Sequence, residues 1–131
     1  MSRLYFIICF VLTVFIASCQ SDLRGDAVEL NPQVFKDSLS KAGVQVVDVR
    51  TLKEFQSGHI KNALHIDYSS EKFANNLGVL DTEKPVYIYC RSGRRSSKSV
   101  SIFKGLGFKD VYELEGGVIN WRKEGFNITK K

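Results

Sequence analysis

The 131-residue chain is short of cysteine, histidine and proline, with three, two and two of each. Three cysteines cannot build the dense disulfide framework that holds many small secreted domains together. Neither histidine stands at metal-ligand spacing from a cysteine, so no metal and no cofactor is expected. Internal repeats and low-complexity tracts are absent. So is a large excess of one charge: 19 Lys and Arg against 14 Asp and Glu give a net charge of +5. That mild balance, with no extended basic face and no nucleic-acid-binding module, argues against nucleic acid as a partner. No apolar run reaches the roughly 20 residues that a membrane-spanning helix needs. What the chain does have is 44% hydrophobic and 25% charged residues, the composition of a globular protein, and a length suited to one domain.

The longest apolar run, Leu4 to Ala17, follows Arg3 and is broken only by Cys9 and Thr13. A basic residue ahead of a short apolar core has the architecture of a secretory signal. The run ends Ile16-Ala17-Ser18-Cys19, and the chain then turns polar at once. An aliphatic residue, two small residues and a cysteine at this point resemble the lipobox of bacterial lipoproteins. The resemblance implies a signal peptide over residues 1–18, lipid on Cys19 and a polar tether over 19–26. It also implies a lipid-anchored location on the bacterial cell envelope, with the domain facing the periplasm or the cell exterior. Cys9 then leaves with the signal and Cys19 is acylated. Cys90 remains as the only thiol of the mature domain, and no intramolecular disulfide forms.

Strand and helix patterns alternate from residue 27 to 127. Ala27 to Leu30 alternates as a strand. Asn31-Pro32 is a helix start, a capping side chain followed by proline at the first helical position. That helix is expected to run to about Lys41, with Val34, Phe35 and Leu39 on one side. Val44 to Val49 has almost no polar alternation, as in a strand covered on both faces. Thr51 and Glu54 form a capping-box pattern for a short helix ended by Gly58. Ala63 to Ile66 reads as a strand, and Ser69 or Ser70 as the cap of a helix reaching about Leu77. Val86 to Tyr89 is a second buried strand. A helix over about Arg95 to Leu106 follows, with Val100, Ile102, Phe103 and Leu106 as its apolar set. Val111 to Leu114 is the last strand, Gly116-Gly117 turns into a short helix, and Asn127 to Lys131 is a polar tail. The alternation predicts an α/β domain with a mainly parallel central sheet and helices on both faces.

In such sheets function gathers where strands end and helices begin, and Cys90 sits at such a junction. A cysteine is nucleophilic as its thiolate, and a free thiol ionises at about pH 8.5. Three features here favour the anion. A helix N-terminus follows, with unpaired amides and a favourable dipole. Arg91, Arg94 and Arg95 add fixed positive charge. Gly93 permits a positive φ, so that successive backbone N–H groups turn inward as an anion nest. Ser92 and Ser96 add hydroxyl donors.

Three blocks of sequence resemble the signatures of single-domain rhodaneses, the sulfurtransferase family. Val47-Asp48-Val49-Arg50, followed by Glu54-Phe55, Gly58-His59-Ile60 and Ala63, is similar to the first. Cys90 to Ser96 (CRSGRRS) is similar to the active-site loop, and Glu115-Gly116-Gly117 with Trp121 to the closing block. Lys61-Asn62 departs from the proline and glycine of many relatives, in a connecting turn. The resemblance implies that Cys90 takes a sulfane sulfur from a small anionic donor such as thiosulfate and passes it, as a persulfide, to cyanide or a thiol. Arg91, Ser92, Gly93, Arg94, Arg95 and Ser96 would bind the donor and the transferred sulfur. Asp48, Arg50, Glu54 and His59 fit structural roles instead. Arg50 and Glu54, four apart, can pair; Asp48 can cap the turn after its strand; His59 can bond to backbone.

Two other readings stand beside this one. Phosphatases of the cell-cycle dual-specificity type and related arsenate reductases share the fold, but their loop puts five residues between cysteine and an essential arginine. Here four residues separate Cys90 from Arg95, and the next position is Ser96, so the loop is sized for a sulfur atom. The other reading is a non-enzymatic persulfide carrier or binding module; some rhodanese-like domains that act as binding modules lack the cysteine that is present here.

Overall fold

The computed structural model describes residues 27–130. The expected signal peptide, Cys19 and the tether lie outside the described residues. Five strands, β1 (Val28–Leu30), β2 (Gln45–Asp48), β3 (Leu64–His65), β4 (Val86–Tyr89) and β5 (Val111–Leu114), form one sheet in the order β1-β5-β4-β2-β3. Every pairing is parallel. Four α-helices connect them, α1 (Pro32–Ser38), α2 (Leu52–Ser57), α3 (Phe73–Asn76, continued by a 3-10 turn over Leu77–Val79) and α4 (Arg94–Gly105), and α5 (Gly117–Lys123) follows the last strand.

The two central strands explain why the hydrophobic pattern does not alternate. All four residues of β4 are buried. Val86, Ile88 and Cys90 enter one core with Phe73, Val100 and Phe103, on the side of α3 and α4. Tyr87 and Tyr89 enter the other with Phe35, Val118 and Trp121, on the side of α1 and α5. A strand side chain points to alternate faces, so a strand with helices on both sides is apolar throughout. The α/β fold read from the sequence is the one observed.

Several boundaries differ, each for a local reason. Helix α1 stops at Ser38, and its buried face is Phe35 and Ser38, so Val34 stands exposed. Neither Ser69 nor Ser70 caps α3, whose first residue is Phe73. Asp67 takes Ser69 into a turn, accepting from its amide at 2.8 Å and its hydroxyl at 2.6 Å. Leu106 follows the end of α4 and is exposed, because the buried stripe is Ser96, Ser99, Val100 and Phe103. Asn62 adopts φ 66°, a left-handed conformation that asparagine tolerates. The polar tail is partly built into the fold: His59 and Thr129 exchange backbone hydrogen bonds at 2.9 and 2.8 Å, and Ile128 packs on the core beneath.

Helix α2 carries its capping box intact. Thr51 N–H and Oγ1 donate to Glu54 Oε2 at 3.0 and 2.9 Å, and Glu54 N–H donates to Thr51 Oγ1 at 3.4 Å. Thr51→Ala removes the hydroxyl from this box. The expected cost is about 1 kcal/mol, seen as a lower urea midpoint with an unchanged m-value.

Candidate functional site

Cys90 leaves β4 at the C-terminal edge of the sheet, with only 1% of its surface exposed. The loop behind it turns at Gly93, whose φ of 96° is left-handed, and α4 begins at the next residue. This turn aims the Gly93 N–H at Cys90 Sγ, 3.1 Å away. Ser96 Oγ stands 3.6 Å from the same sulfur. Burial opposes ionisation of the thiol. Hydrogen bonds from the Ser96 amide and hydroxyl and from the Ser92 and Gly93 amides outweigh it, so the pKa falls below its ordinary value. The anion nest expected from the sequence is present.

The loop is held from two sides. Helix α5 donates Val118 N–H to the Cys90 carbonyl at 2.9 Å and Ile119 N–H to the Arg91 carbonyl at 3.1 Å. Such closeness requires glycine at 117, because a Cβ there would lie 2.5 Å from Arg91 C and O. From the adjoining strand, the buried carboxylate of Glu113 accepts from Ser96 Oγ and Ser97 Oγ, each at 2.6 Å. Ser96 Oγ also reaches Gly93 O at 3.1 Å. Its single proton can go to only one of these three acceptors at a time, so the amides carry the constant part of the thiolate's stabilisation. Glu113 escaped the sequence reading. Its position within a strand is a buried one, and a charge at a buried strand position was the available signal.

The arginines divide into two kinds. Arg50 does not pair with Glu54 as expected. Its Nε and Nη2 clasp Asp48 at 2.6–3.0 Å, and Nη2 also donates to Gly58 O at 2.8 Å. Asp48 caps its turn too, accepting Arg50 N–H at 3.0 Å. Glu54 pairs instead with Arg95, through two bonds of 2.8 and 2.7 Å. Arg95, expected to hold the donor, therefore has both terminal nitrogens on a carboxylate and ties the loop to α2. Arg91 and Arg94 are exposed and, among the described residues, make no ion pair. Ser92 is exposed beside them.

His59 Nδ1 lies 3.0 Å from Phe55 O, and the ring stacks on Phe55 at 3.8 Å. His65 Nε2 lies 2.8 Å from Arg50 O. Both imidazoles thus serve the scaffold. Tyr89 closes the frame, its hydroxyl accepting Ile60 N–H at 3.0 Å. Burial drives its pKa far upward, so it stays a neutral phenol.

Two titrations test this arrangement. Cys90 alkylation by iodoacetamide is expected to rise with pH about a midpoint below that of a free cysteine, and Ser96→Ala should move that midpoint up. A midpoint unaffected by Ser96→Ala would remove the hydroxyl from the account. The Arg95 guanidinium holds the Glu54 carboxyl down at about 2 from its usual 4.5. A carboxyl depressed in the folded state adds stability that is full above the unfolded pKa and fades as pH falls. Denaturation profiles should therefore show a wild-type advantage over Glu54→Gln above pH 4.5 that shrinks towards pH 2.

Comparison with known proteins bears on this site. The family model described as "Rhodanese-like domain" matches residues 31–124. The thiosulfate sulfurtransferase GlpE of Pseudomonas savastanoi is 36% identical over 85 residues, covering 65% of this chain and 78% of that protein. A tRNA uridine(34) hydroxylase of Anaplasma phagocytophilum is 32% identical over 109 residues, covering 77% of this chain but 37% of that protein. The crystal structure of a rhodanese-like domain protein from Staphylococcus aureus superposes with a TM-score of 0.69 at 32% identity, covering 79% of this chain and 98% of that one.

Proposed function

Since the chain belongs to the rhodanese-like family of sulfurtransferases, we propose that it transfers a sulfane sulfur from thiosulfate, or a donor like it, to a thiophilic acceptor through a persulfide on Cys90. The observation that carries this reading is the buried Cys90 thiol, held by the Gly93 amide at 3.1 Å with its pKa lowered.

In the first half-reaction the Cys90 thiolate attacks the outer sulfur of thiosulfate. A bond forms between Sγ and that sulfur, the S–S bond of thiosulfate breaks, and its electron pair leaves with sulfite. Cys90 then carries a persulfide whose terminal sulfur is anionic. The amides of Ser92, Gly93 and Ser96, which already stabilise the thiolate, suit that charge, as preorganised donors do in a water-poor site. In the second half-reaction cyanide or a thiolate attacks the terminal sulfur, and the electron pair of the Sγ–S bond returns to Cys90. This is covalent ping-pong catalysis, and it needs no general base because every species begins and ends as an anion.

The phosphatase reading is disfavoured by Arg95. Four residues separate it from Cys90, and its guanidinium is bound to Glu54 instead of standing free for an oxyanion. A persulfide carrier would use the same Cys90 chemistry without turnover.

For the N-terminal segment we propose, on the sequence pattern Ile16-Ala17-Ser18-Cys19 alone, lipid attachment at Cys19 and a membrane-anchored envelope location. Mass spectrometry of protein made in a lipoprotein-processing bacterium should find diacylglycerol on Cys19, and an intact residue 1–18 segment would refute the assignment.

Activity is tested with the purified protein. Thiosulfate plus cyanide should yield thiocyanate, and thiosulfate alone should add the mass of one sulfur atom to Cys90. Cys90→Ser should abolish both while leaving the unfolding midpoint nearly unchanged. Phosphate release from an aryl phosphate without thiocyanate formation would overturn the assignment.

A further inference from the structure

Glu113 puts a carboxylate where the sheet calls for an apolar side chain. It stands opposite Ile88 in the register of β4 and β5. It faces the α4 side of the sheet, as does Val111 two residues before it, and it is 5% exposed. Among the described residues it makes no ion pair. Its Oε1 accepts from the Ser96 and Ser97 hydroxyls at 2.6 Å each. Ser96 Oγ, fully buried, is 2.6 Å from that carboxylate and 3.6 Å from Cys90 Sγ. The other charged groups around the sulfur are disposed differently. Arg91 of the loop, Arg94 of α4 and Glu115 after β5 are exposed. Arg95 is held by Glu54 of α2, and Arg50 by Asp48 of β2. Arg122 of α5 lies beside the Gly58 turn.

Bracing the two serines does not require a charge. A glutamine carbonyl has lone pairs for both hydroxyls, and burying an amide costs far less than burying a carboxylate. The charge does two things that a neutral brace would not. It repels the thiolate, and its charge-assisted hydrogen bond holds the Ser96 proton more strongly than a neutral acceptor would. Resting on the sulfurtransferase reading above and deepening it, we propose that Glu113 is a positioning residue that draws the Ser96 hydroxyl off the sulfur and so keeps the Cys90 thiolate strongly nucleophilic. A thiolate held by too many donors attacks slowly, because reactivity towards an S–S bond falls with the basicity of the thiolate, with a Brønsted slope of about 0.4–0.5. Against burial, the amides of Ser96, Ser92 and Gly93 favour the anion, and Glu113 limits how much the Ser96 hydroxyl adds to them. Glu113 takes no proton from Cys90. The thiolate attacks the outer sulfur of the donor with its own electron pair, and the donor's S–S bond breaks towards sulfite.

Two rates are followed against pH on the purified protein. Alkylation of Cys90 by iodoacetamide gives the midpoint of thiol ionisation, and single-turnover sulfur gain from thiosulfate gives, at its high-pH plateau, the reactivity of the thiolate. Glu113→Gln should lower the alkylation midpoint, and the plateau should fall about threefold for each pH unit of that drop. Loss of a mere brace would loosen the nest and shift the midpoint the other way, so a midpoint that rises or stays overturns the proposal. In a Ser96→Ala background the same substitution should lower the midpoint by less than about half as much, as a double-mutant cycle shows for groups that act through one another. An equal drop in both backgrounds overturns the route through Ser96. Ser97 is exposed on α4, and Ser97→Ala supplies a second reading if Glu113→Gln does not fold. It leaves the carboxylate to the Ser96 proton alone, so it should raise midpoint and plateau together, and an unmoved midpoint overturns the proposal. If Cys90 gains no sulfur from thiosulfate, the sulfurtransferase reading falls, while the alkylation midpoints still decide whether Glu113 draws Ser96 off the sulfur.

Discussion

A thiolate can be buried only if something replaces the water it leaves behind, and this structure is arranged around that replacement. Cys90 is almost fully enclosed, which by itself would keep it protonated. The backbone supplies the remedy, because a left-handed Gly93 turns amides onto the sulfur that would otherwise face solvent. Backbone donors carry no net charge and lose little conformational freedom on binding an anion. They stabilise a charge that moves from Sγ to the next sulfur atom as readily as one that stays. The remaining features hold that loop still: two amides of α5 on the carbonyls of Cys90 and Arg91, Gly117 allowing the approach, and Glu113 fixing the serines of the first turn of α4.

The arginines follow from the same constraint. Arg50 and Arg95 are held by carboxylates, where they fasten the β2 turn and α2 to the rest of the site. The Arg95 pKa is raised first by its hydrogen bond to Glu54 and also by Cys90, so its charge still acts on the sulfur. Free positive charge is left to Arg91 and Arg94 on the loop and to Arg122 on α5, at the rim where anions arrive and leave.

Much of this was legible in the sequence. The absence of polar alternation in Val44–Val49 and Val86–Tyr89 marked the covered central strands. Asn31-Pro32 and the Thr51–Glu54 box marked helix starts whose partners are three residues away. Cys90 and Gly93 marked the nest, because strand, cysteine, glycine and helix follow one another directly. What failed was pairing across the chain. Glu54 has Arg50 as its neighbour at helical spacing and Arg95 forty-one residues on, and local spacing favours the first. Arg50 turns back to Asp48, two residues before it, because both side chains close the same turn. Glu113 was missed for a similar reason: its serine partners lie on a different element, brought to it by the parallel pairing of β4 with β5.

That parallel pairing also gives the molecule a front and a back. All five strands run the same way, so the chain enters the described domain at Val28 on one edge of the sheet and presents Cys90 at the opposite edge. The polarity of the sheet thus separates attachment from chemistry. With the proposed lipid on Cys19, the link to the membrane would join the domain at the end of the sheet away from the one that carries Cys90, so anchoring would not crowd the loop.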